Sequence, residues 1–148
     1  GGHYAFGIDS QTMNIPHGEV TGALPDGRLA GEAFCDASSP MMGRDVCGPT
    51  ATVKSVAAID QPDLQEGALF NLRFDPKGVQ GVIRTFFQHG GEHIQINVVD
   101  NKTLLAAQEN PEHYRGLMVR VAGYMAYFTE LDKPAQDAII ARTAHLSA

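Results

Sequence analysis

Few side chains in this 148-residue chain could do covalent chemistry, and most of those lack the spacing for it. The two thiols, Cys35 and Cys47, show no C-x-x-C arrangement, so they read as ordinary free cysteines rather than a redox or metal motif. A disulfide between them stays open, although cytosolic thiols are normally kept reduced. His17, His89 and His113 lack the two-histidine-plus-carboxylate spacing of a metal centre, so no metal is expected. His93, Gln95 and Asn97 recur with period two, which places them on one face of a strand. Such a face either lines a substrate cavity or turns to solvent or to another segment. The remaining feature is a residue with no side chain. Gly123 follows a short apolar strand in the run Val119-Arg120-Val121-Ala122-Gly123-Tyr124, where glycine marks a bulge, a bend or a close backbone approach. Arg120 either ties the base of that loop by hydrogen bonds to a carboxylate or carbonyl, or sits solvated at the strand end.

The elements that must place these residues follow from periodicity. Residues 1–48 repeat Gly, Pro, Asp and Ser with little pattern and read as an irregular stretch, with turns at Pro25-Asp26-Gly27 and Ser38-Ser39-Pro40. So long a structureless stretch is unusual inside a compact domain and suits a segment that wraps a larger body. Residues 49–148 form the ordered unit. Pro49 opens a helix carrying Val53, Val56 and Ala57 and ending near Asp60-Gln61-Pro62. Ala68, Phe70, Leu72 and Phe74 alternate with Asn71 and Arg73, the pattern of a strand. Asp75-Pro76 then starts a helix whose Val79, Val82, Ile83, Phe86 and Phe87 share a face, and Gly90-Gly91 stops it. In the next strand, His93 to Val99, Ile94, Ile96 and Val98 oppose the polar face. Asp100 or Asn101 caps a helix with Leu104 and Leu105, limited by Asn110-Pro111. A strand from Leu117 to Val121 leads into the Gly123 loop, and Asp132 with Pro134 opens a last helix carrying Ala138, Ile139 and Arg142. This order predicts an α/β fold with parallel neighbouring strands.

Composition narrows the function further. A formal charge of −6 with 11 scattered basic residues argues against sequence-independent nucleic-acid binding, which needs clustered Lys and Arg to neutralise phosphates. No apolar run approaches the roughly 20 residues of a membrane span, and no secretory signal is visible.

Arg120-Val121-Ala122-Gly123-Tyr124, followed by Ala126-Tyr127-Phe128 and by Gln136 to Thr143, resembles the C-terminal signature of glycyl radical enzymes, the pyruvate formate-lyase-like superfamily. The likeness extends upstream through Gly22-Ala23-Leu24-Pro25-Asp26-Gly27-Arg28, Ala30-Gly31-Glu32, Gly43-Arg44-Asp45 and Gly48-Pro49-Thr50-Ala51. Gly91 to Val99 and Leu105 to Arg115 match in kind and order, so the ordered blocks run from about Thr21 to Arg142. The upstream blocks look more like the dehydratase, C–N or C–S lyase, decarboxylase and fumarate-adding branches than like pyruvate formate-lyase itself.

The resemblance implies that the fold is part of the family's α/β barrel, ending in a glycyl radical loop and a terminal helix, and that Gly123 carries the stored radical. It implies supporting roles for Arg120, Val121, Ala122 and Tyr124 in that loop. It also implies an oxygen-sensitive organic radical, an anaerobic cytoplasmic setting, and a radical-SAM activase that uses S-adenosylmethionine and a 4Fe-4S cluster, with no cofactor held by this chain. Glycine suits the task because a radical on its α-carbon delocalises over the neighbouring amide nitrogen and carbonyl, and no side chain hinders flattening or approach. Tyr124, Met125, Tyr127 and Phe128 are expected to pack the loop into a dry interior.

In the family the spin passes to a cysteine in a Cys-x-Glu context. Cys35-Asp36-Ala37 and Cys47-Gly48-Pro49 do not fit it, and both lie in blocks that follow the thiyl loop in chain order. The expected partner is therefore a cysteine-bearing remainder of the enzyme. The chain reads as a spare part that replaces an oxygen-cleaved tail, a split subunit, or a fragment, and the Gly1-Gly2-His3 start suits an excised piece. The alternative is a non-catalytic interaction or structural module that retains the fold.

Overall fold

The computed structural model describes every residue except Gly1, His3, Gln11, Asp75, Pro76, Thr143 and 146–148. Among the described residues, the N-terminal third holds one short helix, α1 (Asn14–Glu19), and otherwise turns and extended chain. Sequence reading does not find α1, since six residues with an internal proline carry no apolar period. Arg28 organises the stretch. Its buried guanidinium donates to the carbonyls of Gly18, Thr21, Gly22 and Glu32, and it lies over the Phe34 ring, 4.5 Å from the centroid. One cation thus satisfies main-chain acceptors that regular structure would otherwise serve.

The helix α2 (Pro49–Ala57) follows, and after a 3-10 turn at Gln61–Asp63 the chain enters β1 (Phe70–Phe74). A further helix, α3 (Val79–Gln88), begins after Gly78. The expected start at Asp75-Pro76 lies outside the described residues. The strand β2 (Ile94–Asn97) runs parallel to β1, with Phe70 opposite Ile94 and Arg73 opposite Asn97. All five residues of β1 are buried, as suits a parallel strand covered on both faces. Phe70, Leu72 and Phe74 pack with Val53, Val56, Ala57, Val82 and Phe86, and the Phe70 and Phe86 rings meet at 5.4 Å. Phe87, expected on the same helical face, is exposed.

A second core lies beyond β2. The helix α4 (Asn101–Glu109) is capped by Asp100, whose carboxylate accepts from the Thr103 amide at 2.7 Å. Two short strands, β3 (Met118–Arg120) and β4 (Met125–Tyr127), pair antiparallel, and α5 (Lys133–Ala141) starts at the Asp132 cap with Pro134 in its first turn. Leu104, Ala107, Val119, Val121, Phe128 and Ile139 pack together between them. The last strand, β5 (Ala144–His145), returns to pair parallel with β1, giving the sheet order β2-β1-β5. The α/β expectation with parallel neighbours holds for this sheet. The strand expected at Leu117 to Val121 is shorter and leaves it, because a two-residue turn at Ala122-Gly123 sends the chain straight back as β4.

Candidate functional site

The hairpin register pairs Met118 with Tyr127, Val119 with Ala126 and Arg120 with Met125, and the Val121 amide donates to the Tyr124 carbonyl at 3.0 Å. Ala122 and Gly123 therefore form the turn. Gly123 has φ of 80°, in the left-handed region adopted freely only by glycine. A Cβ built there would meet a single atom within 4 Å, Leu69 Cδ1 at 3.9 Å, so the α-carbon faces open space. Val121 and Ala122 are buried beneath it. The turn has a packed base and a bare tip.

The polar face of β2 holds that tip. Gln95 Oε1 accepts from the Gly123 amide at 3.2 Å and from Arg120 Nε at 2.7 Å. Asn97 takes both main-chain groups of Arg120: its Oδ1 accepts from the Arg120 amide at 2.8 Å and its Nδ2 donates to the Arg120 carbonyl at 2.6 Å. A side-chain carboxamide here reproduces the paired bonds of a strand neighbour. His93 is exposed and lies 3.0 Å from Gln95 Nε2, and accepting there through its own Nε2 leaves Gln95 Oε1 aimed at the turn, a tautomer assigned from the network. Gln95 and Asn97 are buried and turned to another segment of the chain, and with His93, Met118, Arg120 and Met125 they edge an open groove of about 420 Å³.

Arg120 is not a solvated strand-end charge. Its acceptor is the Gln95 carboxamide oxygen, shared with the glycine amide. The expected apolar cover is present only in part. Phe128 is fully buried, but Tyr124, Met125 and Tyr127 are 42 %, 48 % and 42 % exposed. They belong to a two-stranded hairpin, and each β4 residue has a neighbouring strand on one side only.

Two contributors escaped the sequence reading as site residues. Arg142, just past α5, donates through Nη1 to the Arg120 carbonyl at 3.2 Å and through Nη2 to the Val121 carbonyl at 2.6 Å. Asp36 accepts from the same Nη2 at 2.7 Å. Burial lowers the Arg142 pKa, and the Asp36 carboxylate opposes that shift. Arg142 falls within the Gln136 to Thr143 block of the signature, but its contact with Asp36 spans 106 positions, which no local spacing reveals.

The two cysteines lie elsewhere. Cys35 borders a groove in the N-terminal segment with Arg28, Met41, Met42 and Arg44, and partial desolvation pushes its thiol up, away from an activated thiolate. Cys47 is exposed and, like Cys35, makes no disulfide. Among the described residues no group of three or more His, Cys, Asp or Glu converges on a metal position, and no helix is long and apolar enough to cross a membrane.

Residues 34–129 match the protein family described as glycine radical, and the turn just described lies inside the match. The chain belongs to the glycyl radical family. It is 47% identical over 142 residues to the indoleacetate decarboxylase of Tractidigestivibacter scatoligenes, and 43% identical over 152 residues to the trans-4-hydroxy-L-proline dehydratase of Clostridioides difficile. These alignments take in 88% and 97% of this chain but only 16% and 19% of the relatives. Its fold superposes with a TM-score of 0.93, at 45% identity, on the B12-independent glycerol dehydratase of Clostridium butyricum, covering 99% of this chain and 20% of that one. This glycyl radical domain thus spans a fifth or less of the length of these relatives. Its parallel sheet and helices are an α/β portion of the family barrel. Glycyl radical enzymes bear their radical on a glycine and receive it from a partner activase.

Proposed function

We propose that Gly123 is the radical-bearing glycine and that this chain stores the radical for a cysteine supplied by the remainder of a glycyl radical enzyme. The observation that carries the reading is the turn itself: a left-handed glycine with an open α-carbon, its amide held by Gln95, on a base of buried Val121 and Ala122. An activase using S-adenosylmethionine and a 4Fe-4S cluster removes one hydrogen atom from the Gly123 α-carbon. The unpaired electron left there spreads over the adjoining amide nitrogen and carbonyl. A thiol then returns a hydrogen atom to the carbon, and the resulting thiyl radical acts on substrate.

The absence of a Cys-x-Glu context around Cys35 and Cys47, with a raised Cys35 thiol, supports a cysteine from outside these residues. The half-exposed Tyr124, Met125 and Tyr127 supply the face that the remainder would cover, shielding an oxygen-sensitive centre. In this reading residues 49–148 are the glycyl radical domain, residues 1–48 wrap the larger body, and the setting is the cytoplasm of an anaerobe. The relatives' names favour a dehydration or a decarboxylation.

Electron paramagnetic resonance after anaerobic treatment with a family activase, S-adenosylmethionine and a reductant tests the assignment. A doublet present in the native chain and missing in Gly123→Ala is expected. Failure to obtain any signal that depends on Gly123 would sink it.

A further inference from the structure

We propose that Asp36 and Arg142 form a clasp that positions the Gly123 turn, and that activation of the glycine depends on this clasp as well as on the carboxamides of β2. The inference deepens the reading of Gly123 as the radical site and rests on it only in the second arm of the test below.

The two side chains are 5 % and 11 % exposed, and together they join three parts of the molecule. Asp36 uses both oxygens: Oδ1 accepts from Ser10 Oγ at 2.6 Å, while Oδ2 accepts from Asn71 Nδ2 at 2.8 Å and from Arg142 at 2.7 Å. Its position is fixed by the following turn, where Ala37 has φ of 52°, Ser38 donates to the Leu69 carbonyl and Ser39 Oγ accepts from the Asn71 amide. The carboxylate is thus nailed to β1, the most buried strand. Arg142 carries that rigidity outward, because its other contacts are the carbonyls of Arg120 and Val121, the two residues that enter the turn.

The turn is therefore gripped from two sides. Gln95 and Asn97 hold the amides of Gly123 and Arg120, and the guanidinium holds the carbonyls one and two residues upstream of Ala122. The Arg120 carbonyl accepts from Asn97 and from Arg142 at once, one donor for each lone pair. A buried ion pair contributes little net stability compared with apolar packing of the same volume, but it does fix geometry. Planar bidentate donation also explains why an arginine stands here, since a lysine cannot reach both carbonyls and the carboxylate in one plane. Asp36 and Arg142 act through the turn backbone and are positioning residues.

Amide hydrogen exchange by NMR on the whole chain, comparing native protein with R142Q, R142K and D36N, tests the clasp without reference to radical chemistry. In R142Q and D36N the Arg120, Val121 and Gly123 amides should lose protection by roughly tenfold or more, while α3 amides change by less than about twofold and R142K lies between. Unchanged protection at the turn would overturn the proposal. So would an equal loss in α3, which would make the pair a general staple. The second arm treats the same proteins with activase and measures the doublet per chain. If native protein gives the doublet, R142Q should fall severalfold and R142K recover part of it; equal yields would refute the dependence of activation on the clasp. No doublet even in native protein would instead count against Gly123 as the radical site, leaving the exchange result to decide the clasp.

Discussion

Two glycines in this chain sit beside guanidinium groups that collect main-chain carbonyls, yet they are glycine for opposite reasons. Gly18 is buried: a Cβ there would lie 2.6 Å from Ala33 Cα and closer still to the Glu32 carbonyl oxygen, so only hydrogen fits. Gly123 has a positive φ and almost nothing around its α-carbon. Arg28 folds an irregular segment tightly about itself, whereas Arg142 holds a turn whose tip stays bare. A closed glycine answers to packing. An open one answers to its left-handed backbone, which a side chain would strain even where there is room for it.

That contrast can be broken by mutation. The largest stability loss should come from Arg28→Ala, which strips the N-terminal segment of donors to four carbonyls and should cost about 3 kcal/mol or more in denaturant melts. Gly18→Ala comes next, at about 3 kcal/mol, because its added methyl meets backbone rather than a movable side chain. Gly123→Ala should cost only about 1 kcal/mol, the left-handed penalty for a residue with room for its methyl. Equal losses at the two glycines would erase the distinction.

The smallest effect is one of pH and falls on the core beneath the hairpin. Asp100 is held below its ordinary value of 3.8 chiefly by the Thr103 amide, and Asp137 chiefly by the Gln108 side chain, with help from Lys133. Depressed carboxyls contribute stability that is present above that ordinary value and lost as pH falls through the lower folded one. Acid titration from about pH 5 to below 3 should therefore weaken protection in α4 and α5, with a shallower decline in D100N and D137N. An identical acid limb in the variants would show that neither carboxyl contributes.

Much of this was legible in the residues. Period-two alternation located β1 and β2, Asp100 and Asp132 announced their helices, and Pro49 marked α2. What stayed hidden was non-local. The polar side of β2 reads as a cavity lining or a wet face until the hairpin is seen folded against it, and β4 is too short to show a period. The Arg28 hub and the Asp36–Arg142 pair depend on bonds between side chains and distant backbone, which no spacing rule encodes. Tyr124, Met125 and Tyr127 look like core residues by type, yet the surface that would bury them is not formed by this chain's hairpin.

The central claim is that Gly123, and no other residue, holds the radical, and oxygen provides its most direct test. Anaerobic activation followed by brief exposure to air, read by mass spectrometry, should cut the native chain at residue 123 and leave Gly123→Ala whole. Intact native chain, or a cut elsewhere that persists in Gly123→Ala, would contradict the account.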